Sequence, residues 1–547
     1  MRITAPTGRR NLISVVRALL RESRRPMLGA INTRLVVALY ILALCLGAGL
    51  VAGCTTLPSL EDRRASTVLF DTGDTKLGRA ISPMVDAHPG VSGIYPLPDA
   101  RDAFAARVLL AQRAERTLDA QYYIWRNDMS GALLFEALRS AADRGVRVRL
   151  LLDDNDTSGL DTLLASLASH SNIEVRLFNP FVIREPRWIG YVTDFFRLNR
   201  RMHNKSFTAD NQATIIGGRN VGDEYFGATE GVAFVDLDVM AVGPVVTEVS
   251  KEFDRYWASG SSYPVERLLP AVNPAAIAEL TSSALRVERE PAAAAYMNAL
   301  RNLSFVHEMD QESLVLDWSA TRMISDDPAK GLGLAAPEDL LFPKLREIIG
   351  ESAAEVYMES PYLVPTTAEF DEFVAVAERG VKIKVLTNSL QATDVPIVHA
   401  GYAKRRKPLL EAGVTLYELR RLSPDTAPRK GAGPLGSSGS SLHAKAFSVD
   451  NSRAFIGSFN FDPRSSTLNT EMGFVIDSPA LAHKFEAALQ RRIPATAYEV
   501  RLSDTGQLYW IERREGEWVR HDTEPGTSFW QRLEIWLMSM LPIEWLL

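Results

Sequence analysis

Two stretches of the chain set the same residue types at the same spacing. His203-Asn204-Lys205-Ser206-Phe207-Thr208-Ala209-Asp210 is followed by Gly217-Gly218-Arg219-Asn220, and His443-Ala444-Lys445-Ala446-Phe447-Ser448-Val449-Asp450 by Gly457-Ser458-Phe459-Asn460. On a strand, residues two apart share a face, so each stretch would present an imidazole and an ammonium to one ligand. An anionic phosphodiester suits that pair, because imidazole is nucleophilic when neutral and acidic when charged, with the change near working pH. Gly217, Gly218, Gly457 and Ser458 would let backbone approach the substrate closely. Asn220 and Asn460 could donate to a phosphate oxygen. Asp210 and Asp450 complete the two catalytic patterns, but at the far strand end they are expected to form structural ion pairs rather than touch substrate. The remaining histidines (His88, His170, His307, His399, His483 and His521) lie outside the pattern and read as ordinary, satisfied side chains.

The elements that must hold these residues repeat as well. Arg144–Leu150 resembles Arg379–Val385, Ile173–Leu177 resembles Val414–Glu418, and His203 and Gly217 recur at His443 and Gly457, at offsets between 235 and 241. Matches in one order at near-constant offset mean a duplicated domain. Within each copy, strand-like runs (Leu118–Trp125, Glu355–Tyr362) precede helical spacing (Gly131–Asp143, Ala368–Glu378) and a second strand. Alternation of this kind implies an α/β fold with helices on a mixed sheet. Pro264–Pro291 reads as a connector, Ser423–Ser441 as a flexible loop by composition, and Tyr498–Arg520 as a small β-meander. The end, Phe529–Leu547, carries three Trp among aliphatics. It suits either an interfacial helix at a membrane or a helix docked on the body.

The N-terminus has its own character. Residues 1–34 carry eight Arg and one Glu, and Leu35–Gly53 carries no charge. A basic region, an apolar run and small residues describe an export signal; the Ala52-Gly53-Cys54 ending resembles a bacterial lipobox, which would lipidate Cys54. A signal-anchor helix is the alternative, the run being near the ~20 residues that span a bilayer. The leader holds +7 of a chain whose total is −6, leaving −13 after cleavage. An acidic body argues against nucleic acid as a partner, since non-specific binding needs clustered Lys and Arg. Cys45 and Cys54 are the only cysteines; with the first removed and the second acylated, neither a disulfide nor a Cys-based metal site is expected. The expected organisation is then residues 1–53 as lipoprotein signal, 54–94 as N-terminal segment, 95–263 and 331–497 as the two repeats, 264–330 as connector, and 498–547 as meander and amphipathic helix.

The double motif resembles the phospholipase D superfamily over roughly residues 95–500. That resemblance implies duplicated phospholipase D-like domains, each a mixed sheet flanked by helices, related by a pseudo-twofold with one site between them. It implies His203 as nucleophile forming a phosphohistidine and His443 as general acid/base, symmetry leaving the reverse open. Lys205, Lys445, Asn220 and Asn460 would stabilise phosphate charge with no metal and no cofactor. A carboxylate behind each His is expected: Glu471 for the second half at the family's spacing, and Asp236, ahead of Asp238, for the first. Further segments, Asp119–Trp125, Arg176–Pro180, Leu386–Leu390 and His399–Tyr402, resemble the bacterial cardiolipin synthases, particularly the C-type group. Those enzymes transfer a phosphatidyl group to phosphatidylglycerol, with phosphatidylglycerol or phosphatidylethanolamine as donor. The alternatives are a hydrolase releasing phosphatidic acid and an exported phosphodiesterase acting on nucleic acid. The resemblance also implies a lipid-anchored protein on the periplasmic side of a bacterial envelope, Thr55 leaning towards the outer membrane. Arg184–Arg201 mixes five Arg with Trp188, Tyr191, Phe195 and Phe196 just before the first motif. It could hold an anionic headgroup, Arg201 included, while its aromatics enter the lipid interface, or it could be a solvated basic loop.

Overall fold

The computed structural model describes residues 56–228, 233–273, 289–421, 441–514 and 516–547. The expected signal and Cys54, most of the Ser423–Ser441 loop and the middle of the connector lie outside the described residues. Among the described residues no helix is long and apolar enough to cross a membrane.

In the first half, strands β1 (Ser92–Leu97), β2 (Thr117–Tyr122), β3 (Arg147–Asp153), β4 (Ile173–Phe178), β5 (Ser206–Ala209), β6 (Ala213–Gly217), β7 (Asp238–Val242) and β8 (Ser262–Pro264) form a mixed sheet. Its order is β8-β4-β3-β2-β5-β6-β7-β1, with β2, β3 and β4 parallel and the rest antiparallel. The second half repeats this with β9 (Asp317–Ser325), β10 (Glu355–Glu359), β11 (Lys382–Asn388), β12 (Thr415–Leu419), β13 (Ala446–Val449), β14 (Arg453–Gly457), β15 (Met472–Asp477) and β16 (Ala497–Leu502). Here the order is β16-β12-β11-β10-β13-β14-β15-β9, each strand in the place of its counterpart. Parallel neighbours need a crossover, and the helices Met129–Asp143 and Thr367–Glu378 supply it in the two halves. Runs such as Arg147-Val-Arg-Leu-Leu-Leu-Asp153 are buried along nearly their whole length, as strands covered on both faces must be.

Two placements refine the linear reading. β9 falls in the stretch read as connector, yet it is the counterpart of β1; its Asp317–Ser319 pairs with β1 and its remainder with β15, so both halves share one continuous sheet. β16 opens the C-terminal meander, with β17 (Leu508–Arg514) and β18 (Glu517–His521), but pairs with β12 and so extends the second sheet. The halves meet through an apolar layer: Ile216, Val239, Ala241 and Val245 of the first pack with Ala454, Ile456, Phe474 and Ile476 of the second. At about 25 cal/mol per Å² of apolar surface, such a layer favours the closed pair over two exposed faces.

Candidate active site

His203 and Lys205 stand just before β5, and His443 and Lys445 just before β13, in extended backbone rather than within the strands. What fixes them is a bridge to the opposite half. Met202 pairs with Thr470 and Leu442 with Val235, each as a parallel bridge. The His203 N–H donates to the Thr470 carbonyl (2.9 Å), and the His443 N–H to the Val235 carbonyl (2.7 Å). One residue beyond each bridge, the imidazole meets a carboxylate of the other half. His203 Nδ1 lies 2.8 Å from Glu471 Oε2, and His443 Nδ1 lies 2.6 Å from Asp236 Oδ2. Each motif is therefore completed by the half that does not contain it. Donation of Nδ1–H to a carboxylate fixes the tautomer and leaves Nε2 with its lone pair.

The carboxylates are seated differently. A Cβ on Gly218 would fall 2.1 Å from Asp236 Oδ1, so only glycine leaves room for Asp236. At the equivalent position Ser458 donates its hydroxyl to Glu471 Oε2 (2.6 Å), and Ser465 donates to Oε1 (2.9 Å). Gly457 leaves no room for a Cβ either, which would sit 2.4 Å from the Met472 carbonyl. The expected substrate-binding residues Gly218 and Ser458 thus serve the carboxylates, and Gly217 and Gly457 close strand packing. Lys205 and Lys445 each donate to the carbonyl of their own motif histidine, and Lys445 Nζ lies 2.9 Å from His443 Nδ1. Asn220 Oδ1 accepts the Ile124 N–H and its Nδ2 donates to Tyr225 Oη; Asn460 Oδ1 is buried with no donor.

Burial and like charge set the protonation. Burial, reinforced by Lys205 and Lys445, holds His203 well below the ordinary imidazole range. Burial and then Lys445 bring His443 down to about 4 against the opposing pull of Asp236. Lys445 falls to about 8, burial outweighing Asp236 and Glu471, and burial likewise holds Lys205 well below the ordinary lysine range. Glu471 is raised to about 6 by burial despite Lys205 and Ser458. Burial alone would raise Asp236, but His443, Lys445 and Arg219 hold it below the usual carboxylate range. The His443–Asp236 pair pulls two ways, a low carboxylate implying a charged ring and a low imidazole a neutral one. The two directions are compatible, because Lys445 and Arg219 also face the carboxylate and keep it ionised beside a neutral ring.

Two expectations change. Among the described residues Asp210 and Asp450 form no ion pairs: Asp210 accepts the backbone N–H groups of Glu115, Arg116 and Thr117, and Asp450 those of Ala353, Ala354 and Glu355. They anchor the starts of β2 and β10. The Arg184–Arg201 arginines make contacts within the protein that hold this loop. Arg184 and Arg187 pair with the buried Asp154, and Arg201 spends its guanidinium on Asp153 and the Asn179 and Arg200 carbonyls. Arg197 pairs with Asp194, and Arg200 donates to the Lys330 and Thr467 carbonyls. Asp238, the second choice behind Asp236, pairs with Arg107 and Arg219, and it is Asp236 that meets His443. Sequence reasoning missed the rings against the histidines: Tyr123 lies 5.1 Å from His203, and Tyr225 and Phe234 each 5.2 Å from His443. Tyr225 follows Asn220 by five residues, as Ser465 follows Asn460, a signal that the repeat itself carries.

Two neutral imidazoles, each oriented by a carboxylate across a pseudo-twofold and flanked by lysines, define a phospholipase D-like site. Residues 109–257 and 345–493 match the family "Cardiolipin synthase, PLD-like domain", and the chain belongs to that family. It is 49% identical over 474 residues to cardiolipin synthase C of Escherichia coli (strain K12), covering 86% of this chain and 100% of that one. It is 23% identical over 435 residues to a cardiolipin synthase of Staphylococcus aureus (strain Mu50), covering 76% of this chain and 70% of that one. Among solved structures, phosphatidylserine synthase of Haemophilus influenzae Rd KW20 aligns with a TM-score of 0.50 at 12% identity, covering 78% of this chain and 92% of that one. At that identity the likeness speaks to the fold alone.

Proposed function

We propose that the protein is a phosphatidyltransferase forming cardiolipin from two phospholipids. The observation that carries this reading is the reciprocal pairing of His203 with Glu471 and His443 with Asp236 inside a chain of this family. His203 Nε2 attacks the phosphorus of a donor phospholipid; the bond to the headgroup alcohol breaks, and His443 gives that alcohol its proton. The phosphatidyl–His203 is then attacked by a hydroxyl of phosphatidylglycerol, whose proton returns to His443. In the free site Lys205 and Lys445 help keep His443 deprotonated. A bound phosphodiester anion would offset their charge and raise His443 towards the acid form the first step needs. The lysines would balance charge on the non-bridging oxygens, and the Asn460 amide, its Oδ1 unclaimed, could turn an N–H towards one of them. The donor is phosphatidylglycerol or phosphatidylethanolamine.

Purified protein given defined mixtures of these two lipids separates transfer from hydrolysis. Cardiolipin as the main product supports the reading, whereas phosphatidic acid at saturating phosphatidylglycerol would make the protein a hydrolase. The Ala52-Gly53-Cys54 signal supports export and a lipid anchor on the periplasmic side, Thr55 favouring the outer membrane. Cys54→Ala should leave an unprocessed or released form; a variant that matures and partitions like the parent would remove the anchor.

A further inference from the structure

The C-terminal helix Phe529–Ser539 is apolar on both sides. Its inner side sets Ile535 and Met538 against Leu390, Ala400 and Ala403. Its outer side presents Phe529, Trp530, Trp536 and Leu537, continuing into Met540 and Leu541, all largely exposed, with Trp530 at 72%. A helix packed on a water-soluble body normally turns polar residues outward, so this stripe is not explained by docking on the body. A second segment, far away in sequence, behaves alike: Trp188, Val192 and Phe196 on the short helices Trp188–Thr193 and Phe195–Leu198 are exposed, Phe196 at 78%. The 188–198 segment touches the residues that follow the helix: the rings of Phe195 and the exposed Trp545 lie 6.2 Å apart, and Arg464 ties Asn199 to the Leu546 carbonyl. Contiguous exposed apolar surface of this kind marks an interaction site.

The occupant is indicated by where the surface leads. The 188–198 segment reaches the active site directly: Tyr191 bonds to Asn155, whose amide donates to Tyr123 Oη (3.4 Å), and the Tyr123 ring lies against His203. Of the arginines in and around this segment, Arg184, Arg187, Arg197 and Arg201 pair with carboxylates and Arg200 donates to carbonyls, so aromatic rings dominate what it exposes. Trp and Phe at that position suit the headgroup–acyl boundary of a bilayer, where amphipathic aromatic rings settle.

We infer that the outer stripe of helix Phe529–Ser539 together with Trp188, Val192 and Phe196 is a membrane-docking surface that seats the site entrance on a phospholipid bilayer. The inference rests on the phospholipid reading of the site, and the test separates the two. Full-length protein is placed on phosphatidylethanolamine–phosphatidylglycerol vesicles carrying brominated acyl chains, and tryptophan quenching is read beside turnover. The parent is compared with Trp530→Ser/Trp536→Ser and Trp188→Ser/Phe196→Ser, and all are also assayed on short-chain phosphatidylglycerol dissolved as monomers. None of these four residues touches the catalytic groups. Quenching should be strong in the parent and markedly weaker in each double variant. Turnover of vesicle lipid should fall on the order of tenfold in the variants as the apolar anchor is lost, while turnover of the monomeric lipid stays at the parent level. Absence of quenching in the parent, or vesicle turnover unchanged in both variants, would overturn the docking surface. So would a concentration-dependent dimer that the substitutions abolish without any bromolipid quenching, since a second copy would then be the occupant. If the parent turns over neither lipid but is still quenched, the docking surface stands and the phospholipid reading of the site falls.

Discussion

The two histidines sit in similar frames but against unequal carboxylates, and the inequality has a pH signature. Glu471, raised to about 6, ionises only above that value. Below it, the protonated acid is a weaker acceptor of the His203 Nδ1–H and shares its oxygens with Ser458 and Ser465, so the nucleophile's tautomer is held less firmly. Lys445, lowered to about 8, is charged below that value and neutral above it, so phosphate binding weakens as pH rises past it. The free protein should therefore give a bell in kcat/KM with limbs near 6 and 8. Glu471→Gln should lower kcat/KM by about 100-fold, the scale of losing a partner that orients a reacting imidazole, and should abolish the acid limb. Asp236→Asn should lower activity while leaving that limb in place, because Asp236 is already ionised throughout the range. An acid limb unchanged in Glu471→Gln would assign it to another group.

At the scale of elements, the most regular feature of the motif proves to be architectural. Asp210 and Asp450 each gather the N–H groups of three consecutive residues where β2 and β10 begin, holding β5 and β13 against them. Asp210→Ala would strand three backbone donors, that of Thr117 buried and the other two partly so, at a cost of about 3 kcal/mol. Thermal denaturation should record that loss while kcat per folded molecule stays at the parent level; a collapse of kcat at unchanged stability would return Asp210 to the catalytic set. Much of this architecture was legible in the sequence because it is local: strand and helix periodicities, the turn after each helix and the recurrence of both motifs need no tertiary knowledge. What was not legible depends on contacts across the chain. The run Arg184–Arg201 looks like a free basic surface until Asp153, Asp154 and Asp161, some 20 to 50 residues earlier, take up Arg184, Arg187 and Arg201. Asp153-Asp154 at the end of β3 was the available signal, an acidic pair closing a buried apolar strand. β9 hid for a similar reason, since nothing in Asp317–Ser325 announces that it serves as first strand of the second half while also pairing with β1.

On the scale of the whole molecule, the halves are interdependent. The face-to-face apolar layer and the Met202–Thr470 and Leu442–Val235 bridges bring the motifs together, and the same bridges exchange the carboxylates between halves. Glu471 was identified from its position after Asn460, yet its imidazole is His203, 268 residues away; no spacing rule within one repeat could reveal that exchange. A single half would hold a histidine without its carboxylate, so nucleophile and acid must come from one intact pair. The most direct test of that account follows a labelled donor phospholipid with a good leaving group through His443→Asn, which retains His203 and Glu471 but lacks the acid/base. Label should accumulate on His203 as an acid-labile, base-stable adduct, and phosphatidylglycerol should discharge it faster than water does. Absence of any adduct, together with a single inverting displacement at a chiral phosphorus in the parent protein, would contradict it.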